Sequence, residues 1–284
     1  MESLYSGVGP GEAVWLVFLS NANPLSGPGV EPAGRTEYHS LVRILWRSPQ
    51  VGYGDNSGFV HICSGCLVTT QHVLTTAQCI KNRQPDHLKV NLFNGTDWSH
   101  PLSEFVASEK TYNDWAAENS EATSTSEFND IAILTLRSNA AVSLLHGVSI
   151  RLPLRSGTHV EFAGWNVNSR MAPVKTYMEI MKASSCEARI RNLSKDPFKH
   201  FEPLGGLLCA SSANRGAILD EIDQGAPVYA RTTFVKIIVG ISIQRSPFLG
   251  TDMSDPNQVN LVLFFKNFAT FISAVTDNRV RYVC

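Results

Sequence analysis

The sequence predicts an all-β chain that closes with one α-helix. Short runs rich in Val, Ile, Phe and Leu recur along most of its length, separated by turn residues. Only one long segment, residues 263–275, reads as helix: Phe265, Phe268, Ala269 and Ile272 fall on one face at i, i+3, i+4 and i+7. No stretch approaches the roughly 20 apolar residues of a membrane-spanning helix. Many short strands and one terminal helix imply a barrel or sandwich.

From the N-terminus, the first segment has two open readings. Residues 13–19 (AVWLVFL) form a short apolar run before Ser20-Asn21-Ala22, which suits a small-residue cleavage site. The flank carries Glu2 and Glu12 and no basic residue, unlike a usual secretory signal. The run is therefore either a degenerate signal or an N-terminal extension. Residues 21–35, rich in Pro, Gly and Asn, are expected to be irregular. Strands are expected at 39–46, 66–70, 72–75, 88–92, 131–136, 158–163, 175–181, 226–230 and 234–243. The EATSTSE run at 121–127 reads as an exposed loop. No internal repeat is present.

The 284 residues suffice for one large β domain or two smaller ones. Hydrophobic residues make up 43%, enough for a sizeable core, and charged residues only 17%. A net charge of −1 gives no general attraction for nucleic acid or anionic membrane, so neither is an expected partner. Six cysteines stand at 63, 66, 79, 186, 209 and 284. They form no zinc pattern, and no metal or cofactor is expected. Cys63 and Cys66 make a CxxC, but a strand-like run follows it rather than a redox helix. Sequons at Asn94 and Asn192 fit a secreted chain.

A resemblance extends this reading from about residue 38 to 272. CSGCLVTTQHVLTTAQC (63–79) resembles the disulfide-closed loop of the trypsin/chymotrypsin serine proteases, which ends in Ala-His-Cys. NDIAIL (129–134) resembles the segment of the catalytic aspartate, and FAGWN (162–166) the Gly-Trp-Gly segment between the barrels. DQGAP (223–227) stands where the family has Asp-Ser-Gly-Gly-Pro. VGISIQ (239–244) resembles the strand lining the specificity pocket, and 260–272 the last strand and closing helix. The resemblance implies two packed six-stranded antiparallel β-barrels, at about 36–150 and 151–284, after an extension at 1–35. It also implies the disulfides Cys63–Cys79 and Cys186–Cys209. Cys66 and Cys284 are left either to pair with each other or to leave Cys284 free.

At the positions that carry chemistry the chain departs from this family. Gln78 replaces the general-base histidine, and a carboxamide has no titration near neutral pH. Gln224 replaces the nucleophilic serine, and an amide is no nucleophile. Asp130 retains the orienting carboxylate, with a structural role expected through backbone donors and Gln78. Loss of serine or histidine from such a triad costs on the order of 10⁶ in rate. Ile222 replaces a glycine that supplies an oxyanion N–H, in a conformation a β-branched residue tolerates poorly.

The specificity pocket is expected to be filled. Ile218 stands at its base, Ile243, Gln244 and Arg245 along one wall, and Asn260 across it. The family's disulfide bracket is lost at Asp220, which removes a constraint worth roughly 2–4 kcal/mol. The family's activation pairs a freed Ile-Val-Gly-Gly terminus with the aspartate before the serine. Here that aspartate is Asp223, but the tetrapeptide is absent and residues 1–34 hold no Lys or Arg. Asp223 is therefore expected to be solvated or bonded to backbone donors. The resemblance implies a non-catalytic extracellular homologue that binds protein as a module, cofactor or decoy in a protease cascade. The competing reading is a serine endopeptidase with residual or displaced activity. Expected binding surfaces are the loops at 53–61 and 111–128 and the basic stretch near Arg189.

Overall fold

The computed structural model describes residues 25, 27, 29–34, 37–47, 58–93, 101–120, 129–142, 146–165, 172–193, 207–212, 217, 219, 221–231, 235–243 and 259–283. The apolar run at 13–19, the loop at 121–127, Asn94, Ile218, Asp220, Gln244, Arg245 and Cys284 lie outside these residues.

Six strands close the first barrel: β2 (Leu41–Arg47), β3 (Phe59–Leu67), β4 (His72–Thr75), β5 (Leu88–Leu92), β6 (Leu102–Thr111) and β7 (Ala132–Leu136), in the order β2-β3-β4-β7-β6-β5. The second barrel contains β9 (His159–Trp165), β10 (Pro173–Ile180), β11 (Leu207–Ser212), β12 (Pro227–Arg231), β13 (Lys236–Ile243) and β14 (Asn260–Phe264). β9 pairs with both β10 and β12, which closes it. Two short strands attach to its outside. β1 (Glu31–Pro32) pairs with β10, and β8 (Gly147–Val148) runs parallel to β13. A regular pairing thus enters the stretch expected to be irregular.

Residue patterning explains the layers. In β10, Thr176, Met178 and Ile180 are buried while Tyr177 and Glu179 are exposed, the period-2 signature of a strand with one wet face. β13 has no such alternation, because both its faces are covered. Ile237 and Val239 point into the second barrel, with Phe162, Val228 and Val262. Ile238, Ile241 and Ile243 join the inter-barrel core instead, with Leu41, Leu74 and Ile133 from the first barrel.

The terminal segment corrects one expectation. Helix was expected across 263–275, but β14 runs to Phe264, a 3-10 turn follows at Phe265–Phe268, and α4 covers only Ala269–Val275. Leu263 pairs with both Leu207 and Ile241, so ladder hydrogen bonds on two sides override the helical spacing. Three further helices escaped the periodicity reading: α1 (Ala77–Ile80), α2 (Tyr112–Glu118) and α3 (Ala183–Leu193). Two are too short to show a period, and α3 carries charge around much of its surface.

Besides the shared apolar core, an aromatic stack and an ion cluster help to tie the barrels together. Phe93, which follows β5, packs on Trp165 at the end of β9 with ring centroids 4.8 Å apart. The Arg43 guanidinium from β2 sits 4.9 Å from the first ring centroid and 5.0 Å from the second. Burial pulls its pKa down to about 10, still well above neutral, so it remains a cation against two π faces. The second contact is an ion cluster. Lys236 Nζ donates to Glu37 Oε1 and to the buried Glu161 Oε1, each at 2.5 Å, and to the Tyr38 hydroxyl at 3.0 Å. Lys175 adds a bond to Glu37 at 2.9 Å. Burial alone would raise the Glu37 carboxyl, but the two lysines outweigh it and hold it at about 2.

Trp165→Ala should cost about 3–5 kcal/mol, read by urea unfolding, because the cavity opens between the barrels. Glu37 is depressed in the folded state, so its contribution is present above its unfolded pKa of 4.5 and is lost as pH falls through about 2. Glu37→Gln should therefore lower stability at pH 7 but leave it unchanged at pH 2. An equal loss at both pH values would show that the pair contributes by packing rather than charge.

Candidate functional site

The site lies where the turn before β12 meets the first barrel. Asp223 ends a 3-10 turn (Glu221–Asp223), and Gln224 and Gly225 carry the chain into β12. Gly225 has φ +81°, and a Cβ there would stand 2.3 Å from the Ser64 carbonyl oxygen and 2.5 Å from Thr75 Oγ1. Only glycine lets the turn close this tightly against β3 and β4. The closure is hydrogen-bonded. Ser64 N–H donates to the Gln224 carbonyl at 2.9 Å, and the Ser64 hydroxyl donates to the Ile222 carbonyl at 2.8 Å. Gly225 N–H donates to the Ser242 carbonyl at 2.8 Å.

Gln224, expected at the nucleophile position, presents a positioned amide. Thr76 caps α1, accepting Cys79 N–H at 3.1 Å, and its own hydroxyl donates to Gln224 Oε1 at 3.2 Å. The hydroxyl is thus used in both directions, and Gln224 is held at its backbone and at its side chain. Gln78 sits in α1 with its side chain exposed. Its backbone N–H donates to Asp130 Oδ1 at 2.7 Å. Asp130, buried, therefore holds the Gln78 backbone.

Ile222 does not have a positive φ, so this turn avoids the conformation a β-branched residue would resist. Its carbonyl is spent on the Ser64 hydroxyl. On the pocket side, Ile243 is buried in the inter-barrel core. Asn260 is buried at the start of β14, where its Oδ1 accepts Leu219 N–H at 3.0 Å and its Nδ2 donates to the Ala217 carbonyl at 3.2 Å. One amide thus clamps both sides of position 218, on the segment from which the sequence lacks a disulfide. The structure joins Cys63 to Cys79 and Cys186 to Cys209. Cys66 is a free thiol in β3, and burial pushes it well above the ordinary thiol range. Asn192 is exposed near the end of α3.

Asp223 is fully buried, and Leu25 N–H donates to its Oδ2 at 2.6 Å. A backbone donor was expected, but not one from 198 residues upstream. Leu25 is itself fully buried and packs in the second-barrel core with Phe162 and Leu219. Gly164 makes the socket possible, since a Cβ there would lie 2.5 Å from Asp223 Oδ1 and 3.2 Å from Leu25 Cβ. Leu25 and Thr76 were not singled out from sequence. For Leu25 a signal existed: it is the one large apolar residue within the Pro/Gly-rich stretch before Val30. For Thr76 there was only the cap position before α1.

A hydrogen bond to a buried charge contributes about 1.5–3 kcal/mol. Asp223→Ala should destabilise the full chain by about that much, read by urea unfolding. In a chain lacking residues 1–29 the same substitution should cost less, because the carboxylate has lost the Leu25 donor. Equal costs in both backgrounds would show that Leu25 does not support Asp223.

Similarity to known proteins agrees with this geometry. The Trypsin family model matches residues 43–245. Serine protease 28 of Mus musculus is 23% identical over 244 residues, covering 79% of this chain and 82% of that protein. Chymotrypsin of Phaedon cochleariae is 24% identical over 186 residues, covering 59% of this chain and 62% of that protein. Two solved structures, the scabies mite inactivated protease paralogues S-I1 and S-D1, superpose with TM-scores of 0.65 and 0.63 at 14% and 15% identity. They cover 88% and 89% of this chain, and 99% and 98% of their own chains. The family model spans well over half of the chain on a fold of two closed six-stranded barrels, and the chain belongs to the trypsin family of serine proteases.

Proposed function

We propose that this chain is a non-catalytic member of its family that acts by binding protein, as a module, cofactor or decoy in an extracellular protease cascade. The observation that carries this reading is the Gln224 amide, fixed by Thr76 where the reaction needs a hydroxyl. Acyl transfer by this fold requires a nucleophile, a base that takes its proton, and donors aimed at the developing oxyanion. Gln224 cannot form an ester, and Gln78 cannot accept a proton. What remains is a rigid pair of barrels that presents loops, the usual place for recognition on such a scaffold.

The extracellular setting is supported by the two disulfides, which persist in oxidising compartments, and by the sequons at Asn94 and Asn192. The fold is shared with two proteins described as inactivated proteases, so the architecture itself does not demand catalysis. Among the described residues no helix is long and apolar enough to cross a membrane. The stretches at 53–61 and 111–128, expected as loops but holding the start of β3 and all of α2, remain the proposed binding surfaces together with the stretch near Arg189 in α3.

The test is direct. A fluorophosphonate probe should label no serine of the purified chain, and the Gln78→His/Gln224→Ser double variant should remain without measurable peptide hydrolysis. Labelling of the unaltered chain would overturn the non-catalytic reading. Hydrolysis by the double variant alone would show that the turn and pocket are still competent and that the loss is confined to two side chains.

A further inference from the structure

The outer face of the first barrel carries a second feature, remote in chemistry from the degenerate site. The register of β3, β2, β5 and β6 sets Phe59 beside Arg47, and Phe105 beside Lys89, on adjacent rows. Leu45 lies between His61 and Lys89 in the same rows and is buried. The two phenyl rings meet edge to face with centroids 6.2 Å apart, although two strands separate their backbones. Three cations converge on them. Arg47 lies 5.9 Å and Lys89 5.2 Å from the Phe59 centroid, and Arg137 lies 5.5 Å from the Phe105 centroid.

Two properties make this patch unlike an ordinary solvated face. Phe105 is 40% exposed, and its ring meets Phe59 rather than standing alone on the barrel wall. None of the three cations has a carboxylate partner among the described residues, although the whole chain balances 24 basic against 25 acidic residues. The unneutralised charge is held above an apolar floor. An aromatic floor weakens hydration of the cations and offers contact area at little entropic cost.

We propose that this face is a docking surface for an acidic polypeptide segment that also carries apolar side chains. Its carboxylates would meet Arg47, Lys89 and Arg137, and its apolar side chains would cover Phe59 and Phe105. Charge complementarity selects this occupant: a basic or purely apolar segment would leave three cations facing like charge or no partner. The inference deepens the protein-binding reading, on which it rests, by naming the chemistry of the partner.

The probe is a short fluorescent synthetic peptide of glutamate, aspartate, phenylalanine and leucine, titrated against the full chain by anisotropy. Controls are the same peptide with glutamine and asparagine for its acids, an all-glutamate peptide, and a heparin oligosaccharide. The acidic-apolar peptide should bind more tightly than all three, and weaken as salt is raised. Arg47→Glu and Arg137→Glu, both on exposed side chains, should each weaken it about threefold to tenfold, with folding checked by circular dichroism because Arg137 Nε also donates to the Val106 carbonyl. Phe105→Ser should weaken it without changing the salt dependence. Equal binding of the amide control, indifference to the charge reversals, or preference for heparin would each overturn the assignment. Mass spectrometry of the same samples separates the two claims: peptide turnover would sink the non-catalytic reading, whereas failure to bind without turnover would sink only this surface.

Discussion

A carboxylate sealed from water needs donors, and in this chain that requirement shapes the fold around Asp223. The charge is fully buried at the base of the turn that carries Gln224. Leaving it unpaired would cost several kcal/mol, so the chain brings Leu25 N–H to it from the far end of the sequence. The same act buries the Leu25 side chain among the residues of the second-barrel core. Gly164 leaves the room, and β1 then ties the following residues to β10. In the family the donor is an ammonium released by proteolysis. Here an amide N–H occupies that place, and an amide carries no net charge. This dipole helps to hold the turn.

Holding the turn is not the same as equipping it. Around Gln224 several polar groups have a partner within the scaffold: Thr76 on the side-chain oxygen, Ser64 on the carbonyl, and Ser242 on the neighbouring Gly225 N–H. These are interactions of a structural joint between two barrels. A catalytic centre keeps groups poised for charge that develops only in the transition state. Asp130 illustrates this, since its carboxylate accepts the backbone N–H of Gln78 in α1. Asn260 makes the same point for the pocket, where a side-chain amide clamps the segment that a covalent bracket holds in relatives.

The stability of the joint leaves the outer surfaces free to change. The inter-barrel core, the Arg43–Phe93–Trp165 stack and the Glu37–Lys236–Glu161 cluster bind the two halves without using the old active-site groups. Such a scaffold tolerates an aromatic and basic patch on a barrel wall, because the strands beneath it are fixed by their own ladders. Such a face can change without disturbing the turn that carries Gln224.

Much of this molecule is legible in its residues. β4 and β5 emerge at their expected bounds, because short apolar runs flanked by turns leave little ambiguity. The substitutions at 78 and 224 exclude acid–base and nucleophilic roles whatever the fold, because a carboxamide neither titrates nor attacks. Other features needed the assembled structure. The strand at Asn260–Phe264 replaced a helical pattern only because partners on both sides supplied hydrogen bonds. The partner of Asp223 stands 198 residues away, and the rings of Phe59 and Phe105 meet across two intervening strands. Residue chemistry is local and can be read one position at a time. Which donor reaches a buried charge, and which cations gather over which ring, depends on chain segments that only closure of the barrels brings together.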